Sequence, residues 1–187
     1  MQRDLIIEYA KRWKSIGIDS FSLKVEREHG SKKLYRKSIK ISDEMISSPD
    51  ILSEDFNFLG IFLKDSGIFC LDIESIDNSV NNFYKLLSER GLDPNSFLME
   101  KSLNGGLHAY FRSGGLIIEN KHFKFLHGIH FDVLSTTRAF TSPSVFNDKR
   151  YEWIGICFDE ITKLEQIPIF PEELQDLISA DSNEHRK

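Results

Sequence analysis

The chain has 187 residues, with 24 Lys and Arg against 29 Asp and Glu, and therefore a formal net charge of -5. Its length fits one domain or two small lobes and suffices for a hydrophobic core without disulfide or metal staples. With 40% hydrophobic and 28% charged residues, the composition is typical of a globular protein and excludes predominant disorder. The acidic total argues against a protein that coats DNA through bulk charge, so any nucleic-acid contact must be local.

Membrane proteins and cysteine frameworks have no support in the sequence either. No segment approaches the roughly 18 uncharged residues that span a bilayer, and the first residues contain no apolar core of signal-peptide length. The sequence therefore predicts a cytoplasmic protein with no membrane partner. Cys70 and Cys157 lie far from each other and from any Cys/His motif, so neither a disulfide nor a structural zinc site is predicted.

Hydrophobic periodicity predicts helices and strands in alternation, as in an α/β or α+β chain. Helices are predicted over residues 3–14, after Ser42, from a cap at Asp77 or Ser79 to about Arg90, and from Pro171 onward. Strands are predicted at residues 20–26, 34–41, 56–62, 67–74, 97–102, 107–112, 131–134, 139–145 and 150–154.

A pair of carboxylates ends the apolar run that begins at Gly67. Asp72 and Glu74 are two residues apart, so on a strand both side chains project from the same face. Carboxylates this close repel each other, and a hard divalent cation bound between them is the usual solution. The Asp-x-Glu pattern is also common by chance, and a solvated strand end remains an alternative.

A second group of polar residues follows a glycine-rich turn. Gly105 and Gly106 allow the backbone to approach a ligand closely. On the strand after them, His108, Tyr110 and Arg112 share one face, which predicts a polar working face over a buried apolar one. His108 and Arg112 offer donors to phosphate oxygens.

A third carboxylate, Asp132, is predicted on the polar face of another short strand, because Phe131 and Val133 read inward. Together with Asp72 and Glu74 it would form the all-oxygen site that Mg²⁺ or Mn²⁺ prefers. Such a site can hold two metal ions.

Basic residues concentrate near the N-terminus. Residues 24–40 contain seven Lys and Arg against two Glu, a local excess of +5. This stretch is either the solvated face of a hairpin or an arm that faces phosphate groups, and composition leaves both interpretations open.

These motifs, in this order, resemble the prim-pol domain of the archaeo-eukaryotic primase superfamily over about residues 5–155. The matching segments are Asn57–Ile61, Phe69–Glu74, Asn104–Arg112, Gly128–Asp132, Phe140–Ser144 and Tyr151–Trp153. The resemblance implies an α/β (α+β) fold with two lobes, whose catalytic lobe carries an RNA-recognition-motif-like antiparallel or mixed sheet. A single catalytic domain would then span residues 1–178, with an N-terminal lobe over about 1–55 and the catalytic lobe over about 56–178, before a flexible tail or linker at 179–187.

The resemblance also assigns roles to individual residues. It makes Asp72, Glu74 and Asp132 the catalytic residues and the ligands of Mg²⁺ or Mn²⁺, with two ions expected, and it places His108 on the phosphates of the incoming nucleotide. Further nucleotide-binding residues would be Lys101, Ser102, Asn104, Arg112 and Arg138, and DNA-binding residues would be Lys33, Arg36 and Lys37. Two departures from the family pattern are Val133, where a basic residue commonly follows the third carboxylate and Arg138 could substitute for it, and Asn104 in place of the more usual Ser.

The implied activity is that of a metal-dependent DNA primase/polymerase. It would polymerise nucleoside triphosphates on a single-stranded DNA template in the replication of a plasmid, virus or other mobile element, with a helicase as a candidate partner. Two alternatives remain open: a noncatalytic nucleic-acid-binding replication-initiation module, and a divalent-metal nuclease.

Overall fold

A computed structural model describes residues 2–27 and 33–179 of the protein. The α-helices are α1 (Gln2–Ser15), α2 (Asp43–Ser47), α3 (Ser79–Glu89) and α4 (Gln175–Ser179). The strands are β1 (Ser20–Arg27), β2 (Lys33–Lys40), β3 (Phe58–Phe62), β4 (Ile68–Ile73), β5 (Leu98–Lys101), β6 (Leu107–Arg112), β7 (Lys121–Leu126), β8 (Ile129–Leu134), β9 (Arg138–Thr141), β10 (Val145–Phe146), β11 (Lys149–Arg150) and β12 (Glu152–Trp153).

The strands form two larger antiparallel sheets and one small hairpin. One sheet has six strands in the order β12-β5-β6-β4-β8-β7, and the other has four in the order β2-β1-β3-β9. The pairings within both sheets are antiparallel. The α+β class is therefore confirmed, whereas the division into two lobes stays a prediction.

Most predicted elements are present, with four differences. The strand predicted over residues 139–145 is wrong, because a turn at Ser142–Pro143 separates β9 from β10. The strand predicted over 150–154 is also divided, into β11 and β12. The final helix begins as a 3-10 turn at Glu172–Leu174 before it continues as α4, and β7 was not predicted at all.

The central strand β4 is buried on both faces. Phe69 and Leu71 belong to the apolar cluster that contains Phe83 of α3, whereas Cys70 belongs to the cluster around Trp13 of α1. Burial of each such large side chain contributes about 1.5–3 kcal/mol. Asp72 is the one residue of β4 that is not buried, so the sheet opens to solvent beside it.

The face that carries His108 was predicted to be a polar working face, and for Tyr110 this is wrong. Tyr110 is fully buried, and its ring lies 5.8 Å from that of Trp13. The reason is that α1 and the four-stranded sheet cover this part of β6, so both faces of the strand lie in apolar clusters.

Among the described residues, no helix is long and apolar enough to cross a bilayer.

The last turn of α3 is tied to α4 by a charged cluster. Arg90 donates to both carboxylate oxygens of Asp176, at 2.6 and 2.7 Å, and His127 Nε2 lies 2.6 Å from the same carboxylate. The hydrogen bond from Arg90 outweighs burial and holds the pKa of Asp176 well below its usual range. This bidentate geometry is the strong form of an Arg–carboxylate pair.

We expect Asp176→Asn to lower the free energy of unfolding by about 1 kcal/mol at pH 7, since the carboxylate is partly exposed and solvent screens it. A carboxyl group whose pKa is depressed on folding stabilises the protein above its unfolded pKa of about 3.9. The difference between wild type and variant should therefore be complete above about pH 5 and shrink as the pH falls below about 4. Thermal denaturation at several pH values measures it, and a difference that grows toward low pH would contradict the assignment.

Candidate active site

A row of polar side chains crosses the six-stranded sheet at one register. Asp72 on β4 lies opposite Asp132 on β8 and opposite His108 on β6, and His108 lies opposite Glu100 on β5. Residues directly opposite in antiparallel strands have Cα atoms about 4.5–5.5 Å apart and side chains on the same face. We call Glu100, His108, Asp72 and Asp132 the polar row.

Glu100 forms the buried end of this row. Its side chain is fully buried, and it accepts hydrogen bonds from the Tyr110 hydroxyl at 2.6 Å and from the Ser142 backbone N–H at 2.7 Å. A buried carboxylate is costly unless such donors satisfy it. The sequence contained one signal for this site, a Glu that follows the apolar residues Leu98 and Met99, but the functional role of Glu100 was not predicted.

His108 lies between two carboxylates. Its side chain is 4% exposed, with Nε2 3.3 Å from Asp72 Oδ1 and Nδ1 2.8 Å from the carbonyl oxygen of Phe140. Burial disfavours the charged imidazolium, but Asp72 and Glu100 outweigh it and raise the pKa of His108 to about 10. For the same reason the pKa of Asp72 is lowered: burial would raise it, and the charge and hydrogen bond of His108 prevail.

Asp132 is held by a bulge in the neighbouring strand β7. The pairing of β7 with β8 shifts register between Lys121 and Lys124, which leaves two residues facing Asp132. His122 Nδ1 lies 2.8 Å from Asp132 Oδ2, and the backbone N–H of Phe123 donates to Oδ1 at 2.7 Å. Both oxygens of the carboxylate are thus fixed in direction. His122 was missed by sequence reasoning because β7 itself was missed.

Glu74 extends the acidic site by one more carboxylate. It follows β4 directly, is exposed, and its backbone N–H donates to the carbonyl oxygen of His130 at 2.9 Å. Partial burial and the negative charges of Asp72 and Asp132 raise the pKa of Glu74. The negative charges of these three carboxylates therefore repel one another, and a bound cation would relieve that repulsion.

The donor chemistry of this site fits a hard divalent cation, because Asp72, Glu74 and Asp132 offer only oxygen ligands. The arrangement is not a ready-made metal site: across residues 2–27 and 33–179, no three His, Cys, Asp or Glu side chains are placed to hold an ion as they stand. The hydrogen bonds of Asp72 to His108 and of Asp132 to His122 engage carboxylate oxygens that a metal would use.

The turn between β5 and β6 packs against the end of β4. Its backbone is closed by a hydrogen bond from Ser102 N–H to the carbonyl oxygen of Gly106 at 2.8 Å. A Cβ at Gly106 would lie 2.4 Å from the carbonyl oxygen of Ile73, the residue between Asp72 and Glu74. Only glycine therefore fits against the backbone there.

Beside this turn lies a cavity of about 360 Å³. Two predicted nucleotide-binding residues line it, Lys101 and Asn104, together with Lys149 and Arg150 of β11, which sequence reasoning did not single out. Both residues of β11 are exposed. Three cationic side chains and two acidic ones, Asp148 and Glu152, therefore border one cavity next to the strands that carry Glu100 and His108.

The two arginines that were predicted to bind nucleotide, Arg112 and Arg138, do not line this cavity. Arg112 is at the opposite end of β6 from His108, about 13 Å along the strand at the usual rise, and its Nε donates to the carbonyl oxygen of Ile167. Arg138, on β9, has its guanidinium 4.9 Å from the Phe21 ring and 5.1 Å from the Phe62 ring. Arg112 and His108 are therefore separated along the strand, and the nucleotide-binding roles of both arginines stay predictions.

The predicted DNA-binding residues belong to β2. The side chains of Lys33 and Arg36 lie outside the described residues, whereas Lys37 is exposed, with Nζ 5.9 Å from the Phe56 ring. β2 forms the edge of its sheet opposite β9, on the order of 14 Å away at the usual strand spacing. Part of the basic excess is neutralised, since Lys24 pairs with Asp55 and Lys40 pairs with Asp19.

Comparison with known families gives a match over most of the chain. The model described as bifunctional DNA primase/polymerase, N-terminal, matches residues 48–172, about two thirds of the chain. The protein therefore belongs to the Prim-Pol family, and its expected activity is that of a DNA primase/polymerase. The matched range contains the complete polar row, Glu74 and the cavity beside Lys101. No curated protein matches the chain.

We expect Tyr110→Phe to destabilise the protein by about 2 kcal/mol, because it removes a donor from the buried Glu100 carboxylate while the ring still fills its place. Urea denaturation measures the change. Tyr84→Phe is the matched control, since Tyr84 is half-buried on α3 and its hydroxyl has no hydrogen bond within the described part of the chain. Equal effects of the two substitutions would contradict the role given to Glu100.

Proposed function

We propose that this chain is a metal-dependent DNA primase/polymerase that joins nucleoside triphosphates on a single-stranded DNA template. The observation that carries the proposal is the pairing of Asp72 with Asp132 across β4 and β8, with Glu74 beside them, inside the range that the family match covers. Carboxylates in this number and at this spacing suit the chemistry of phosphoryl transfer, in which metal ions stabilise the attacking and leaving oxygens.

In this proposal Asp72, Glu74 and Asp132 would hold two Mg²⁺ or Mn²⁺ ions, which would supply charge stabilisation for the attacking 3'-hydroxyl and the triphosphate. The protein keeps the ligands ready in different ways. His108 favours the ionised form of Asp72. His122 and the Phe123 N–H hold Asp132 in one orientation.

We propose that His108 is a positioning residue, which departs from the direct phosphate contact implied by the resemblance. Its small exposure and its two engaged nitrogens support an action through Asp72. A positive charge below that carboxylate orients it and counters repulsion among the acidic side chains. A direct contact with a nucleotide would require His108 to leave one of these partners.

Phosphate binding is assigned to the cavity beside the β5–β6 turn. We propose that Lys101 and Asn104, which line the cavity, and Ser102, which lies between them in the chain, bind the triphosphate together with Lys149 and Arg150. Lysine acts there as a point charge, and arginine can bind two phosphate oxygens at once. Arg112 and Arg138 have no part in this assignment, because Arg112 lies at the far end of β6 and Arg138 packs on aromatic rings.

The remaining parts of the proposal concern the DNA and the wider context. Lys33, Arg36 and Lys37 of β2 would contact the template strand. An N-terminal lobe over about residues 1–55 would carry that surface, and the catalytic lobe would carry the polar row. A helicase partner and a role in mobile-element replication rest on the resemblance alone.

One observation favours a second candidate, a noncatalytic nucleic-acid-binding module. Asp72 and Asp132 are already hydrogen bonded, and the described residues hold no ready-made metal group. Against it stands the chemistry of the site, since three adjacent carboxylates would repel the phosphates of a strand that is only bound. The two candidates differ in a single measurement, the incorporation of labelled nucleotides.

We expect Asp72→Asn and Asp132→Asn each to lower primer extension by at least about 100-fold, because each removes a charged ligand from the reacting centre. Extension of a labelled primer on single-stranded DNA with Mg²⁺ or Mn²⁺ measures the effect, and Mn²⁺ titration followed by electron paramagnetic resonance measures metal affinity separately.

The matched control is Asp65→Asn, in the turn before β4, where the residue is exposed at φ 60° and Asn is well tolerated. The control should keep wild-type extension. Activity of the Asp72→Asn, Asp132→Asn double variant would refute the metal assignment, and DNA binding without extension by the wild type would favour the noncatalytic module.

A further inference from the structure

The bulge in β7 places one aromatic side chain in an unusual position. Phe123 is 96% exposed, although most large apolar residues of the chain are buried. Its φ is +55°, a left-handed conformation that is uncommon for non-glycine residues and unfavourable for bulky ones. Phe123 thus combines an unfavourable backbone conformation with the exposure of a large apolar ring to solvent. Packing in the core explains neither feature.

One hydrogen bond links this conformation to the candidate active site. The Phe123 N–H donates to Asp132 Oδ1, while the preceding residue, His122, contacts the other oxygen of the same carboxylate. The backbone that aims this N–H at Asp132 also leaves the ring in solvent at the rim of the acidic site. A small polar residue such as Asn would hold Asp132 equally well at this φ, so the ring itself calls for an explanation.

We propose that the Phe123 ring stacks on a nucleobase of the nucleic acid or nucleotide whose phosphates lie at the carboxylates. This inference rests on the proposed polymerase function, since the same substrate brings both a phosphate and a base to the site. Stacking tolerates every sequence because each base has a flat π face, which suits a template-directed enzyme.

The surroundings of Phe123 fit a base better than a protein partner. Along the same strand, the Phe125 ring lies 4.5 Å from the His130 ring at 40°, so flat side chains continue the surface away from Asp132. A protein seated on Phe123 would cover the approach to Asp132, whereas a stacked base belongs to a substrate that must reach it.

Phe123→Asn is the variant that separates stacking from structure. It keeps the backbone N–H that binds Asp132, suits the left-handed φ, and removes the ring. Its melting temperature should therefore equal or exceed that of the wild type. Ile117→Asn is the matched control, because Ile117 is 94% exposed and lies in the loop before β7, away from the polar row.

The experiment measures binding by fluorescence anisotropy in the presence of Mg²⁺, using a labelled oligothymidylate, an abasic strand of equal length, and labelled dTTP, each added alone so that no extension takes place. We expect Phe123→Asn to weaken binding of oligothymidylate, dTTP or both by about 5- to 150-fold, the range that stacking of one base gives. The abasic strand should bind wild type and variant alike, and Ile117→Asn should bind every probe as the wild type does. Loss confined to oligothymidylate places the ring on a strand base, and loss confined to dTTP places it on the incoming nucleotide.

Three results would overturn the stacking proposal: unchanged affinity of Phe123→Asn for both base-containing probes, an equal loss on the abasic strand, or wild-type self-association that the variant abolishes. Primer extension by the wild type keeps this test separate from the proposed function. If the wild type extends primers and Phe123→Asn binds every probe as the wild type does, the stacking proposal is wrong and the polymerase proposal stands. If Phe123→Asn loses binding only to probes with a base and neither protein extends primers, the stacking proposal stands and the polymerase proposal is wrong.

Discussion

The buried Glu100 carboxylate is the constraint around which the two sheets meet. Tyr110 and His108 approach it from β6 of the six-stranded sheet, and Ser142, which follows β9 of the four-stranded sheet, donates its backbone N–H. His108 also binds the Phe140 carbonyl oxygen on β9. Sliding one sheet over the other would leave a buried polar group without its partner, at a cost of several kcal/mol. The same contacts fix His108, and through it Asp72.

The polar row passes from a buried end to the margin of the sheet. At Glu100 every contact is buried, whereas Asp132 on β8 is held by a bulge on the edge strand β7. Asp72 is thus oriented by the buried His108, and Asp132 is oriented by the exposed His122 and by the Phe123 N–H.

Local patterns predicted the strands β4, β6 and β8 and the carboxylates on them, because alternation with period two survives in a strand with a buried face. Residues whose roles depend on pairing were not predictable. Glu100 faces His108 only through the register of β5 with β6, and His122 reaches Asp132 only because the bulge disturbs the alternation of β7. Arg112 shares a face with His108, but a shared face says nothing of the distance along a strand, so its separation from His108 was not predictable from the alternation.

The bulge also affects the margin of the six-stranded sheet. Strand β7 ends the six-stranded sheet, and a regular edge would offer its unpaired amides and carbonyls to the strand of another copy. The register shift at His122 and Phe123 interrupts that repeat and increases the local twist. Deleting one of these residues would restore regular pairing along β7 and leave an edge strand that can pair with another copy of the chain. The deletion would therefore cause aggregation as well as the loss of the contacts that orient Asp132.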